Sequence, residues 1–539
     1  MRGKCHLDEG CGIQVWQISY AQKYHLLPYV SFWRKFCKKA RGLGQEIIKS
    51  LMINLHLKYS IRKESKMKRI EHDFLGDLEI AENVYYGVQT FRAMENFDIS
   101  HDRLSNFPSF IVALAQVKKA AALANNDLGL LSDELRKYIC EACDLVVSGK
   151  YNDQFVVDMI QGGAGTSTNM NANEVIANIA LELMGHKKGE YKHCHPNDHV
   201  NLSQSTNDAY PTAMRIAIYN QLTELAEHMK FLQVAYDRKA EEFKDVLKMG
   251  RTQLQDAVPM TLGAEFKTFS VMMGEDIERV LEARDLIREM NMGGTAIGTG
   301  MNSHPDYAKI VEKRLQEVTG KPFITAGNLI EATQDNGGYV QVSGVLKRVA
   351  VKLSKVCNDL RLLSSGPRAG ISEINLPKMQ PGSSIMPGKV NPVIPEVVNQ
   401  VCFMVIGNDV TVSFAAEAGQ LQLNVMEPVL AYALFNSMEM LGKAMRTLAS
   451  KCIDGITANE DICRDYVFSS IGIVTALNPY IGYENSASIA SEALKTGKGV
   501  REIVLERGLL TQAQLDEIFK PENMLKPHMT LEDKEKMQK

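Results

Sequence analysis

Apolar residues recur along the chain at the three- and four-residue steps of an α-helix, and strand-like alternation is scarce. The clearest apolar face runs over residues 342–363 and stops at the helix-ending pair Gly366-Pro367. A second covers residues 438–452 and follows Pro428, which suits a first helical turn. Helices of about 30 residues would be about 45 Å long. Because such lengths exceed one compact core, the pattern predicts an all-α fold with a central long-helix bundle that is shared between subunits.

Composition agrees with a large folded protein but divides the chain. The 539 residues are 45% apolar and 23% charged, with a net charge of -3. Residues 1–66 hold 13 Lys and Arg against 4 Asp and Glu, a net of +9, which leaves 48 against 60, a net of -12, for the rest. We therefore predict four parts: a basic N-terminal extension at 1–66, an N-terminal helical domain at 67–204, a central bundle domain at 205–459 and a small C-terminal helical domain at 460–539.

The basic extension has two interpretations. Apolar residues in the segment Trp33–Met52 lie at roughly helical spacing among basic ones, as in a membrane-surface or organelle-targeting helix. The alternative is that translation was drawn from an upstream codon and that the native start is Met67. We favour the second, because Gly42 and Gly44 interrupt the helix and the basic pattern ends at Met67. The extension contains no continuous apolar stretch of the kind found in a secretion signal.

Several functional classes fit poorly. No window of 18 apolar residues exists, which argues against a membrane span, and an acidic main body argues against nucleic acid. Ten cysteines are too sparse for a disulfide scaffold, so reduced thiols in a cytoplasmic protein are expected. Cys140 and Cys143 lie in a helical pattern without a second pair, which favours core packing over zinc. His195 and His199 have metal-ligand spacing, but Pro196 takes His195 out of helical geometry. The sequence shows no dedicated metal-ligand cluster.

Four segments rich in Gly, Ser, Thr and Asn each precede a helical pattern. They are QGGAGTSTNMNANE at 161–174, HPNDHVNLSQSTNDAYPT at 195–212, GRTQLQDAVPMTLG at 250–263 and PGSSIMPGKVNPVIPE at 381–396. Their hydroxyl and amide side chains, with the free backbone N–H groups of helix starts, form sites suited to anions. Helix capping alone explains such residues in part, but it does not explain four such loops in one protein.

The segment at 381–396 is the most informative of the four. Gly382 and Gly388 bracket Ser383, so the loop between them can open and close. Lys389 supplies a cation and Asn391 an oriented amide. A solvated turn is the alternative, and we rate it lower because the loop mixes apolar and polar residues without periodicity.

The sequence GSSIMPGKVNP resembles the signature loop of the fumarase/aspartase superfamily, and the other three loops resemble its remaining active-site segments in the same order, over residues 68–520. GAGTSTNMNANE, QSTNDAYPT, GRTQLQDAVPMTLG, PVIPEVVNQVCF and GQLQLNVMEPV resemble the aspartate-deaminating branch more than fumarases. The resemblance implies an all-helical, three-domain homotetramer in which loops of three chains build each active site. It also implies reversible elimination of ammonia from L-aspartate to give fumarate. No cofactor is expected, although some relatives are activated by a divalent cation.

The resemblance also assigns residue roles by position. Ser383 matches the general base that removes the proton next to the side-chain carboxylate, and Glu396 and His199 match supporting positions. Matching substrate-contacting positions are Thr166, Ser205, Thr206, Asn207, Thr252, Gln253, Ser384, Lys389 and Asn391. Gln253 departs from the family pattern, since fumarases and some relatives carry histidine there. A histidine paired with Glu396 is therefore absent, which fits ammonia release better than dehydration, because an ammonium group already carries its proton.

Three rival functions stay open on the sequence alone. One is fumarate hydratase or another lyase of the same superfamily, and another is an inactive structural or binding protein that kept this fold. The third is a tail-anchored surface protein driven by the basic extension. The expected partners are a small-molecule substrate (L-aspartate or fumarate) and further copies of the chain, with no nucleic acid and no membrane.

Overall fold

The computed structural model describes residues 67–525, so both interpretations of residues 1–66 lie outside the described residues. Helices dominate this part of the chain, which confirms the predicted all-α class. The helices are α1 Val88–Asn96, α2 Pro108–Asp127, α3 Asp133–Val147, α4 Thr166–Leu183, α5 Thr206–Glu242, α6 Leu262–Leu286, α7 Tyr307–Thr319, α8 Leu329–Gln334, α9 Gly337–Leu363, α10 Val393–Glu417, α11 Glu427–Lys451, α12 Glu460–Ser469, α13 Asn478–Ile481, α14 Tyr483–Thr496, α15 Val500–Glu506, α16 Gln512–Ile518 and α17 Pro521–Met524.

Short strands form four two-stranded pairs in the described residues. They are β1 Lys68–Asp73 with β2 Gly76–Ala81, β3 Leu247–Thr252 with β4 Gln255–Thr261, β5 Glu289–Met290 with β6 Ile324–Thr325, and β7 Ile374–Asn375 with β8 Thr457–Ala458.

Five long helices, α5, α6, α9, α10 and α11, pack side by side as a bundle. The predicted apolar face at 342–363 lies in α9 and is buried from Val342 to Leu363, and the helix ends before Gly366-Pro367 as expected. Helix α11 begins one residue before Pro428, and Cys452 follows its last residue. The longest helix, α5, has 37 residues and spans about 55 Å at 1.5 Å per residue.

Contacts between these helices fix their directions. The Tyr339 hydroxyl, in the first turn of α9, donates to the Pro211 carbonyl near the start of α5 (3.4 Å). Towards the other ends, the Tyr236 ring of α5 lies 5.7 Å from the Phe269 ring, and the Lys355 ammonium of α9 lies 5.8 Å from that same ring. Helices α5 and α9 therefore run in the same direction.

Helix α10 runs the opposite way. Ser343, in the first part of α9, donates to Asp409 in the last part of α10 (2.8 Å). Near the end of α9, the Ser354 hydroxyl accepts from Asn399 in the first part of α10 (2.9 Å). The start of α10 therefore lies at the end of the bundle where α5 and α9 finish.

The expected loop at 250–263 is a β-hairpin followed directly by a helix. Strands β3 and β4 pair antiparallel and are joined by Gln253 and Leu254, whose φ angles are 54° and 61°. Two central residues with positive φ match the right-handed twist of a hairpin, although asparagine and glycine are the usual choices. Helix α6 then begins at Leu262, where the Thr261 hydroxyl accepts from the Ala264 N–H (3.1 Å).

The other three polar segments contain helix starts rather than only preceding them. Helix α4 begins at Thr166, α5 at Thr206 and α10 at Val393. In α4 the polar residues after the start stay helical because neighbouring chain segments satisfy them. For example, buried Asn171 accepts from the Val156 N–H (3.0 Å) and donates to the Gln154 carbonyl (3.0 Å).

The cysteines among the described residues are free thiols, as predicted. They are Cys140, Cys143, Cys194, Cys357, Cys402, Cys452 and Cys463, and all but Cys140 are buried. Burial raises the pKa of the Cys452 thiol to about 12. Cys140 and Cys143 lie on α3 within the packed N-terminal helices, as core residues do.

Within the described residues, α10 is the one helix that is long and apolar enough to cross a membrane by length and hydropathy. The absence of an 18-residue apolar window had suggested that no segment would meet that criterion. One side of α10 packs between α9 and α11, where Asn399 and Asp409 are hydrogen bonded. Its other side exposes Phe403 (61%) and Phe414 (71%). Helix α10 thus has a packed side with hydrogen-bonded polar residues and a solvent-exposed apolar side, called here its bare side.

Candidate active site

Helix α4 is preceded by a glycine that no larger residue can replace without moving the neighbouring atoms. Gly165 has φ +88° and directly precedes Thr166, the first helical residue. A Cβ atom on Gly165 would lie 2.4 Å from the Tyr210 ring of α5. The start of α4 therefore sits against the first turns of α5. The Thr166 hydroxyl donates to the Gly163 carbonyl (2.7 Å) and is exposed.

The start of α5 is held by a capping box. The Ser205 hydroxyl accepts from the Asn207 N–H (3.2 Å), and the Ser205 N–H donates to Asp208 (2.9 Å). The Asn169 amide, one turn into α4, donates to the Thr206 hydroxyl (3.1 Å). Two helix N-termini therefore meet here, and their free N–H groups make the region attractive to a carboxylate.

A buried lysine lies beneath these two helix starts. The Lys118 ammonium donates to the side-chain oxygens of Asn169 (2.6 Å), Asn201 (2.9 Å) and Gln204 (2.9 Å). Burial lowers the pKa of Lys118 to about 7. Sequence reasoning missed this residue, and the signal that could have found it is one charged side chain on the apolar side of an alanine-rich helix.

The segment 293–300 adjoins the same region and was also missed. Asp208 accepts from the N–H groups of Gly293 (3.1 Å) and Thr295 (3.0 Å). The Asn207 side-chain amide donates to the Ala296 carbonyl (2.8 Å). Burial raises the pKa of Asp208 to about 6. The available sequence signal is the glycine-rich stretch GGTAIGTG, which resembles the loops that were singled out.

His199 belongs to a short helical turn, Pro196–Val200, that leads towards α5. Its Nδ1 accepts from the His195 N–H (2.8 Å), and burial lowers the pKa of His199. His195 Nδ1 in turn accepts from the Asn197 N–H (3.1 Å). Because both Nδ1 atoms accept backbone hydrogen bonds, the two histidines organise the turn.

The glycine-flanked loop is closed at its base. The Gly382 N–H donates to the Lys389 carbonyl (2.9 Å), and the Asn391 amide donates to the Gly382 carbonyl (2.7 Å). A Cβ atom at position 382 would lie 2.6 Å from the Lys389 carbonyl oxygen, so glycine is required for this approach. Gly388 adopts φ +82°, which glycine tolerates at no steric cost.

Within this loop, Ser383 is surrounded by backbone donors. Its Oγ accepts from the N–H groups of Ile385 (3.2 Å) and Met386 (3.0 Å). The side chains of Ser384 and Lys389 are exposed. Glu396 lies in the first turn of α10 and is half-buried. Hydrogen bonds from N–H groups favour the charged form of an oxygen, so this arrangement would stabilise an alkoxide at Ser383.

The structure divides the sequence-predicted residues between the two ends of the bundle. Near the starts of α4 and α5 lie Thr166, His199, Ser205, Thr206 and Asn207. Near the end of α5 and the start of α10 lie Thr252, Gln253, Ser383, Ser384, Lys389, Asn391 and Glu396. The length of α5 puts about 50 Å between the groups, so one chain does not bring them together.

The second group has its own structural support. The β3–β4 hairpin is tied to the segment after α9 by Glu373, a fully buried carboxylate that pairs with Arg251 (2.7 Å) and Lys248 (3.1 Å). Glu373 lies ten residues before Ser383 in the chain. The hairpin with Thr252 is therefore anchored to the segment that leads into the serine loop.

Comparison with known proteins identifies the family of the chain. The family model "Lyase" matches residues 76–407, and "Fumarase C C-terminus" matches residues 473–526. An aspartate ammonia-lyase from Helicobacter pylori (strain J99) is 70% identical over 460 residues, covering 85% of this chain and 98% of the relative. One from Escherichia coli (strain K12) is 59% identical over 460 residues, covering 85% and 96%.

Solved structures give the same result. A fumarate lyase:delta crystallin from Brucella melitensis bound to cobalt superimposes with a TM-score of 0.84 at 52% identity, covering 86% of this chain and 100% of that one. A class II fumarase from Schistosoma mansoni gives a TM-score of 0.82 at 37% identity, with the same coverage.

The helical bundle and the polar segments at its two ends, with these matches, show that the chain belongs to the fumarase/aspartase superfamily of lyases. Within that superfamily its similarity is to the aspartate ammonia-lyases, and the chain is a carbon–nitrogen lyase.

Proposed function

We propose that this chain catalyses the reversible elimination of ammonia from L-aspartate to give fumarate, with Ser383 as the general base. The names of its curated relatives support the reaction. The observation that carries the role of Ser383 is the pair of N–H groups, from Ile385 and Met386, that both point at its Oγ. A neutral serine is a weak base, and these donors stabilise the alkoxide that takes up the proton.

The reaction places negative charge where the proposed site offers donors. Removal of a proton next to the side-chain carboxylate creates a doubly charged enediolate. Each donor aimed at the growing charge contributes about 3 kcal/mol. The starts of α4 and α5, with Thr166 and Thr206, supply such donors, and Lys389 supplies a positive charge. Carbon–nitrogen cleavage then releases ammonia, whose nitrogen leaves without needing a proton from Gln253.

A direct assay tests the reaction. Purified full-length protein is incubated separately with L-aspartate and with L-malate, and fumarate is followed by its ultraviolet absorbance. We expect fumarate from L-aspartate, whereas turnover of L-malate alone would assign the chain to the fumarases. Ser383→Ala should lower kcat at least about 100-fold with KM largely kept. Ser450→Ala, an exposed serine near the end of α11, is the matched control. Near-normal turnover by Ser383→Ala would refute the role of Ser383.

We further propose that the functional unit is a homotetramer in which each active site combines the two residue groups from different chains. The separation of about 50 Å within one chain supports this, because neither group alone carries both the base and the helix-start donors. The bare side of α10 supports it too. Phe403, Val410 and Phe414 recur there at helical spacing and are 61%, 53% and 71% exposed. Apolar stripes of this kind are typical of subunit contacts.

Mixing two inactive variants tests the shared site. Ser383→Ala disables one end of the bundle and Thr206→Val the other. After the two variants are unfolded together and refolded, about one quarter of sites should combine two intact groups. Activity should therefore rise well above that of either variant refolded alone. If the mixture stays as inactive as its parts, each site is made by one chain.

The subunit contact has a separate test. Phe403→Asp places a charge on the bare side of α10 and should reduce the molar mass measured by light scattering, with loss of activity. Leu494→Asp is the control, because Leu494 is 74% exposed on α14 in the C-terminal part of the chain. A Phe403→Asp variant that keeps the mass of the wild-type assembly would exclude α10 from the contact.

We propose that turnover requires no cofactor and takes place in the cytoplasm. Activity should persist after dialysis against a chelator, and addition of Mg²⁺ to the dialysed enzyme tests activation by a divalent cation. Fractionation of the native host tests the location, since membrane-bound activity would contradict it.

A further inference from the structure

Two histidines and a glutamate converge on the segment that follows α4. The rings of His186 and His193 are stacked, with centroids 3.7 Å apart and planes 4° from parallel. His186 Nδ1 lies 3.6 Å from the Glu190 carboxylate. One ring nitrogen from each histidine and one Glu190 oxygen all lie within 4.8 Å of one another. This cluster follows the C-terminal end of α4, whereas Thr166 is the first residue of that helix, and it takes no part in the proposed reaction.

We propose that His186, Glu190 and His193 form a binding site for a divalent transition-metal ion of the Zn²⁺ class, which ties the end of α4 to the segment leading into residues 195–205. Imidazole nitrogens with a carboxylate oxygen suit Zn²⁺ and similar ions, whereas Mg²⁺ and Ca²⁺ prefer oxygen ligands. Three protein ligands leave a fourth position for water. This proposal is independent of the reaction proposed above.

The backbone around the cluster is already fixed, which lowers the entropy cost of binding an ion. The Gly189 N–H donates to Asn178 of α4 (2.8 Å), and the Tyr191 hydroxyl accepts from the same Asn178 side chain (3.1 Å). On either side of Glu190 the chain is therefore anchored to one residue of α4. The Glu190 N–H also donates to the Lys187 carbonyl (3.2 Å), which shapes the turn.

The side chains themselves can still adjust. The His186 and Glu190 side chains are 32% and 41% exposed, so an ion can enter from solvent and the ligands can close around it. In a tetrahedral site with ligand distances near 2 Å the ligand atoms lie about 3.3 Å apart. The cluster therefore needs a movement of about 1 Å, which rotation of partly exposed side chains provides. The Glu190 carboxylate accepts from the Lys187 N–H (3.2 Å), which holds one of its oxygens in place.

Titration of the full-length protein with Zn²⁺ against a chromophoric chelator tests the site. Wild type should bind one more tight equivalent per chain than His186→Asn or His193→Asn, and each variant should weaken that equivalent at least about tenfold. His304→Asn is the matched control, because His304 also lies near a carboxylate, Asp306 (3.8 Å), but without a second histidine. Equal stoichiometry and affinity in wild type and both variants would overturn the proposal.

Two further measurements distinguish loss of Zn²⁺ binding from loss of folding and test where the ion binds. Zn²⁺ should raise the thermal midpoint of wild type but not of His186→Asn, and the metal-free midpoints should agree, which shows that the variant folds. Lys192→Gln removes a neighbouring positive charge that opposes a bound cation. It should tighten Zn²⁺ binding several-fold, and unchanged or weaker binding by this variant would count against the cluster as the site.

Discussion

The buried Lys118 gives the sharpest test of how the helix starts are held. Lys118→Met removes three donated hydrogen bonds while keeping most of the side-chain volume. Asn201 keeps donors from Asn169 (3.1 Å) and Asn173 (3.2 Å), but among the described residues the side-chain oxygens of Asn169 and Gln204 have Lys118 as their donor. Two acceptors left unsatisfied cost about 1–3 kcal/mol each, so the hydrogen bonds contribute about 2–6 kcal/mol.

Burying the Lys118 ammonium costs free energy and offsets part of what its hydrogen bonds contribute. The two effects can be distinguished by the pH dependence of the free energy of unfolding. The folded pKa of Lys118, about 7, lies below its ordinary value of 10.5, so between these values the unfolded chain binds more protons than the folded one. Stability contributed by Lys118 therefore rises with pH, by up to about 1.4 kcal/mol per unit, from pH 7 to 10. The urea stability of wild type should exceed that of Lys118→Met by a margin that is small at pH 6 and grows to about 3 kcal/mol by pH 9.5.

Activity provides the second measurement for this variant. Because Asn169 donates to Thr206, its displacement should lower kcat/KM for L-aspartate about tenfold or more. Lys119→Met is the control, since the exposed Lys119–Asp144 pair (2.6 Å) contributes at most about 1 kcal/mol. A stability margin that does not change with pH, together with unchanged kcat/KM, would refute the argument that Lys118 organises these helix starts.

The remaining predictions concern the buried carboxyl group of Glu427 and the closely packed Gly165. Burial raises the pKa of Glu427 to about 8, so the folded state binds more protons than the unfolded state between about pH 4.5 and 8, and wild-type stability should fall across that range. Glu427→Gln should flatten this dependence and exceed wild type in urea midpoint above pH 8; a profile that matches wild type would be the contrary result. Gly165→Ala should cost about 3 kcal/mol or more and reduce activity, because its Cβ would overlap the Tyr210 ring. Gly185→Ala has a similar φ (+84°) and open surroundings, and should cost only about 1 kcal/mol; equal losses would contradict the packing argument.

Helical periodicity predicted the bundle because long amphipathic helices place apolar residues at regular three- and four-residue steps in the sequence. The apolar face of α9 and its end before Gly366-Pro367 were both readable. The β3–β4 hairpin was not, because its turn residues, Gln253 and Leu254, lack the asparagine and glycine that announce such a turn.

The site could be predicted only in part for a different reason. Hydroxyl and amide residues concentrate in short segments, so the segments were found together with their chemistry. Their partners were not, because Lys118 and the stretch 293–300 reach the site from distant parts of the chain. The order of the helices along the chain also does not show in which direction each one runs in the bundle. The separation of Thr206 from Ser383 follows only from the packing of α5 against α9 and of α9 against α10.

The length of α5 has a consequence for when the enzyme can work. Within one chain, α5 keeps the two groups of predicted site residues about 50 Å apart. If sites form only between chains, specific activity depends on protein concentration, and it should fall on dilution below the dissociation constant of the assembly and return on reconcentration. Deamination would then begin only after the chains have associated.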